Sequence, residues 1–80
     1  MEPADEPLVL TRIDPARNMA RFYLLSLEPT LLGQIALRRN WGRIGTWGRQ
    51  RLELHDDAQA ARQAQARLLA EKLRKGYRPS

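Results

Sequence analysis

Asn40-Trp41-Gly42-Arg43-Ile44-Gly45-Thr46-Trp47-Gly48-Arg49 holds both tryptophans of the 80-residue chain and repeats Trp-Gly-Arg within nine residues. Trp is costly to leave in water, so two of them beside glycines and arginines describe a surface built for contact. Gly45 and Gly48 mark a reversal, with one strand entering it and another leaving. Working outward, no acidic residue lies between Glu28 and Glu53, while Arg38, Arg39, Arg43, Arg49 and Arg51 all do. Up to Glu28 there are three basic and five acidic residues, and from Glu53 onward six basic and four acidic. The flanks cancel, and the net charge of +5 comes from the tryptophan segment alone. A positive field with aromatic faces inside it suits a polyanion.

The run from Asn40 to Thr46 resembles the signature of the WGR domain, a module of DNA-damage-responsive poly(ADP-ribose) polymerases and of many short bacterial proteins. Asn18 with Arg21-Phe22-Tyr23 is similar to the second strand of that family, Gly48 to its tight turn, and Lys72 with Lys75-Gly76-Tyr77 to the end of its helix. The likeness runs from about Leu8 to Tyr77 with its pieces in order. The second Trp-Gly-Arg is no structural repeat, because six residues are too few for a duplicated unit. The resemblance implies a DNA-binding module in which Trp41 packs near a terminal nucleotide at a break. It also implies that Arg43 takes part in contacts between domains, and that the domain has no catalytic part.

Eighty residues bury one modest core. With no cysteine and a single histidine, neither a disulfide framework nor a metal centre is expected; His55 with Asp56 and Asp57 reads as the start of a helix. No cofactor is implied. No apolar run reaches membrane-spanning length, and the acidic Met1 to Glu6 is unlike a signal peptide, so a cytoplasmic protein is expected. The abundance of Arg, Ala and Leu points to a GC-rich bacterial genome.

Residues 1–7 read as a disordered segment, 8–77 as one WGR domain and 78–80 as a flexible end. Leu8 to Ile13 alternates as a strand, and Asp14-Pro15-Ala16-Arg17-Asn18 is turn chemistry. Met19 to Leu27 forms a second strand with Tyr23, Leu25 and Leu27 on one face and Phe22 and Leu24 on the other, ended by Glu28-Pro29-Thr30. Gln34 to Arg43 forms a third. Arg49 to His55 returns as a fourth, with Leu52 and Leu54 expected to face inward. Asp56 or Asp57 caps a helix that begins near Ala58, presents Ala58, Ala61, Ala64 or Gln65, and Leu68 to the sheet, and stops at Gly76. The fold is therefore α+β: an antiparallel sheet of about four strands with one C-terminal helix on one face, and a second face left partly apolar.

The candidate nucleic-acid-binding residues are Arg39, Trp41, Gly42, Arg43, Trp47, Arg49 and Arg51. An indole stacks on a base, a guanidinium clamps a phosphate with two hydrogen bonds, and Gly42 lets a backbone come close. Trp41 has two readings: alternation places it with Ile35 and Leu37 toward the core, whereas the motif places it against a ligand. DNA is the expected partner, with RNA left open. The competing class is a protein-interaction module, using the apolar sheet face or Arg43 to bind an acidic partner or a second copy. Catalysis is not expected, because the basic segment has no carboxylate pair and the chain has no phosphate loop.

Overall fold

A computed structural model describes residues 6–80 of the chain. The disorder expected for residues 1–5 falls outside them. The elements run β1 (Leu8–Asp14), a 3-10 turn (Pro15–Arg17), β2 (Met19–Pro29), β3 (Ile35–Arg43), β4 (Arg49–His55), α1 (Ala58–Arg74) and β5 (Arg78–Pro79). The sheet is antiparallel throughout, in the order β4-β3-β2-β1-β5.

Each reversal has a local cause. Pro15 opens the turn after β1, and Asn18, in the left-handed region at φ 51°, closes it. β2 continues past the expected break, because Glu28 and Pro29 still pair with Ala36 and Ile35. The true turn is Thr30 to Gly33, closed by the Thr30 N–H (2.9 Å) and the Thr30 hydroxyl (2.9 Å), both donating to the Gln34 carbonyl. Asp57 caps α1 by accepting from the Ala60 N–H at 2.8 Å.

The core lies between one sheet face and α1. Leu10, Tyr23, Leu25, Leu27, Leu37, Ala61, Ala64 and Tyr77 are buried there, with Leu68, Leu69 and Trp41 packed at its margin. The expected split of β2 holds: Tyr23, Leu25 and Leu27 are buried, while Phe22 and Leu24 are half-buried on the other face.

Two further expectations are corrected. Among the described residues the expected sheet of about four strands gains a fifth, two-residue edge strand, so the C-terminal residues are not a loose end. After Gly76 (φ 101°) the chain turns, Tyr77 buries its ring, and Arg78–Pro79 pair with Thr11 and Leu10 of β1. The Ser80 N–H then donates to the Val9 carbonyl at 3.0 Å. Residues 78–80 thus extend the sheet where a flexible end was expected. Pro79 is tolerated because this strand lies at the edge.

The second correction concerns β4. Leu52 and Leu54 do not face inward; they are 53% and 59% exposed on the face away from α1. Glu53 lies opposite the fully buried Leu37, so the odd-numbered residues of β4 look toward the helix and the even-numbered ones look away.

Candidate nucleic-acid interface

The uninterrupted register from β1 to β4 stacks side chains in rows across the helix-covered face. One row is Leu10, Tyr23, Trp41 and Arg49, and the next toward the β3–β4 turn is Arg12, Arg21 and Arg43. Arg21 is thus the cross-strand partner of both Arg12 and Arg43, and like charges directly opposite are unfavourable. Among the described residues no carboxylate forms an ion pair with any of the three. Arg43 is oriented by Asn18, donating to its backbone carbonyl at 3.1 Å. The left-handed Asn18 of the first turn thus sets a side chain of the motif 25 residues later.

Trp41 lies between the core and a surface cleft. Its inner face stacks on Tyr23, with ring centroids 5.9 Å apart and planes 17° apart, and it packs against the core. It also lines a cleft of about 190 Å³ with Arg21, Gly42, Arg43 and Tyr77. Tyr77 closes the inner wall, meeting Tyr23 edge to face at 6.1 Å. The Lys72 ammonium sits 4.4 Å from the centre of the Tyr23 ring, and burial lowers its pKa. The cleft thus combines two arginines, two aromatic rings and the Gly42 backbone.

The two carboxylates that bound the basic segment account for two of its arginines. Arg38, on the open face, donates to both oxygens of Glu28 at 2.6 and 3.1 Å and to Gln50 at 2.7 Å. Its hydrogen bonds hold the Glu28 carboxyl below the ordinary carboxylate range. Arg39, on the helix face, donates to the Tyr23 hydroxyl and to Glu53, each at 2.8 Å, and lies 5.6 Å from the Trp41 ring centre. Only 20% of its side chain is exposed. Arg39 therefore braces the aromatic stack from inside instead of reaching solvent.

Trp41, Gly42 and Arg43 share the cleft, and Arg49 neighbours Trp41 across the strand pair. Arg51 neighbours Arg39 and lies 3.9 Å from Glu53. Trp47 is apart, 95% exposed on the β3–β4 turn. That turn folds onto its own strand: Asn40 donates to the carbonyls of Trp47 and Arg49, and Gly48 (φ 71°) packs against the Trp41 backbone. A Cβ on Gly48 would collide with the Trp41 carbonyl oxygen, and one on Gly42 would come within 2.7 Å of the Gly48 Cα. The glycines of the two Trp-Gly-Arg copies thus interlock. Arg12 and Arg21 were missed by the sequence reading, since only strand register brings them beside Arg43.

The family model of the WGR domain matches residues 6–80, nearly the whole chain. The chain belongs to the WGR family. This WGR domain is 46% identical over 72 residues to the uncharacterized protein y4dW of Sinorhizobium fredii, covering 90% of the chain and 35% of that protein. It is 44% identical over 41 residues to protein YehF of Escherichia coli, covering 51% of the chain and 15% of that relative. The chain therefore spans about a third or less of the length of these relatives. No solved structure gives a significant match. In poly(ADP-ribose) polymerases the WGR domain is a nucleic-acid-binding module, not a catalytic one. No helix among the described residues is long and apolar enough to cross a membrane.

Proposed function

We propose that this WGR domain binds nucleic acid, most favourably duplex DNA at an exposed terminus such as an end or a nick. The supporting observation is the Arg12–Arg21–Arg43 row beside the open edge of Trp41. A terminal phosphate in the cleft relieves the repulsion within that row, and the adjoining sugar or base packs on the indole. A base stacked on an aromatic side chain contributes about 1–3 kcal/mol in single-strand binders. Arg49 and Arg51, exposed on β4, continue the positive surface along the strand. The exposed indole of Trp47 supplies a second stacking surface on the turn. Arg39 serves the site indirectly, by fixing Tyr23 and Trp41. Recognition is of phosphate and terminus rather than sequence, since α1 is committed to the sheet and offers no reading helix to a groove.

The test is fluorescence anisotropy with three labelled DNAs: a nicked duplex bearing a 5′-phosphate, a closed intact duplex and a single strand, each at two salt concentrations. The expected result is preference for the nick, lost in Trp41→Ala and Arg43→Ala. If three to five phosphates are engaged, log K falls against log salt with a slope of about −3 to −5. Absence of binding at low salt overturns the reading, and a matched RNA duplex tells DNA from RNA.

A further inference from the structure

From the outer edge of β4 we infer that two copies of this domain join edge to edge, β4 against β4, into one continuous sheet. Among the described residues β4 is the outermost strand on its side, so one row of its backbone N–H and C=O groups has no strand partner there. Natural edges are blunted by proline, bulges, very short strands or charged side chains that repel a like partner. The opposite edge has such protection, since the two-residue β5 contains Pro79. β4 lacks the first three: it is seven residues long, holds neither proline nor glycine, and pairs with β3 without a bulge from Arg49 to His55, and the charges it does carry, Arg49, Arg51 and Glu53, are of both signs. On its open face it carries Leu52 and Leu54, both more than half exposed.

The sequence of β4, Arg49-Gln50-Arg51-Leu52-Glu53-Leu54-His55, is complementary to itself when reversed. In a two-fold antiparallel pair with both copies facing the same way, the axis must pass through a residue. With the axis at Leu52, Arg51 of each copy meets Glu53 of the other, Leu52 meets Leu52, Leu54 meets Gln50, and Arg49 meets His55. All seven residues are paired, and two opposite-charge pairs form on the helix face. Moving the axis to Arg51 sets arginine on arginine, and moving it to Glu53 sets carboxylate on carboxylate, both unfavourable. Charge selects one register. Glu53 meets Arg39 through Oε2 at 2.8 Å, while His55 Nε2 lies 3.8 Å from Oε1, beyond hydrogen-bond distance. The resulting ten-stranded sheet turns the helix faces of both copies to the same side, so both tryptophan clefts open in one direction.

The chain contains no cysteine, so a single introduced one reports on the register. Directly opposed residues in an antiparallel pair have Cα atoms about 4.5–5.5 Å apart, within reach of a disulfide, whereas residues four positions out of register are about 13 Å apart. Leu52→Cys should form a crosslinked dimer under mild oxidation, and Leu54→Cys, equally exposed, should not. Sedimentation of the unmodified chain, without nucleic acid, should show concentration-dependent dimers. Arg51→Glu and Glu53→Arg should each raise the dimer dissociation constant by roughly tenfold, because each places two like-charge pairs at the joint. Mixing the two variants makes both cross-strand pairs attractive again and should restore a heterodimer. A chain that stays monomeric at millimolar concentration, equal crosslinking by the two cysteine variants, or a mixture as monomeric as its components overturns the inference. None of these measurements depends on whether the tryptophan cleft binds nucleic acid.

Discussion

Arg21 and Arg43 face each other directly across β2 and β3, with Arg12 beside Arg21 on the next strand and no carboxylate paired to any of them among the described residues. On the proposed function, a bound anion would offset the unfavourable opposition of like charges in this row. Arg21→Gln should therefore stabilise the free domain, by about 0.2–1 kcal/mol, while weakening its hold on DNA. Thermal melts and binding titrations of the same variant check both signs. Loss of stability together with loss of binding would make Arg21 a structural residue instead.

The two tryptophans should separate cleanly on substitution. Trp41 packs on Tyr23 and the core margin, so Trp41→Ala should cost about 3 kcal/mol, toward the low end of large aromatic truncations because the ring is only half-buried. Trp47 is almost fully exposed, and Trp47→Ala should change stability by less than about 0.5 kcal/mol. Urea denaturation measures both. Trp41→Phe, which keeps a stacking ring, should recover most of the stability.

Gly48 has a backbone role that no side chain can fill. Gly48→Ala meets both a positive φ of 71° and the Trp41 carbonyl, and should destabilise by about 1–3 kcal/mol or more. Gly45 also has positive φ (96°), but open space surrounds its Cβ position. Gly45→Ala should cost only the local strain, about 1 kcal/mol. Equal losses in the two variants would show that the interlock with Gly42 contributes nothing.

Acid should loosen the open face. Hydrogen bonding and charge from Arg38 hold the Glu28 pKa below its ordinary 4.5, so proton release is easier folded than unfolded. For a depressed carboxylate the stabilisation is fully present above the unfolded value and fades as pH falls through the folded one. The melting temperature should drop below about pH 4.5, and Glu28→Gln should flatten that part of the profile. Because both side chains are more than a third exposed, the effect is small and weakens in high salt.

The order of the elements and the class of the fold were legible in local chemistry. Pro15 with Asn18, Gly45 with Gly48, Asp57 and Gly76 each act within a few residues, through φ or through a cap, although the Asp14 side chain does not cap the first turn. Tyr23, Leu25 and Leu27 showed the buried face of β2, because a strand covered on one side must alternate. The misreadings came where distance along the chain was large. β5 holds two residues and has no pattern of its own; Tyr77 burial and pairing with Leu10 and Thr11 hold it in place. Leu52 and Leu54 looked like inward residues because they are apolar, yet the register with Leu37 and the Arg39–Glu53 pair turn them outward.

The candidate site divides along the same line. Sequence alone marked the Trp-Gly-Arg segment, its glycine turn and its unbalanced charge, since these lie within 26 residues from Glu28 to Glu53. Only the folded sheet decided which arginines meet a carboxylate and which do not. Cross-strand neighbours are set by register, so Glu28 and Glu53 neutralise Arg38 and Arg39, while Arg12 and Arg21 arrive beside Arg43 from strands far back in the chain. Charge composition is a property of the sequence; charge pairing is a property of distances, and those exist only once the strands have aligned.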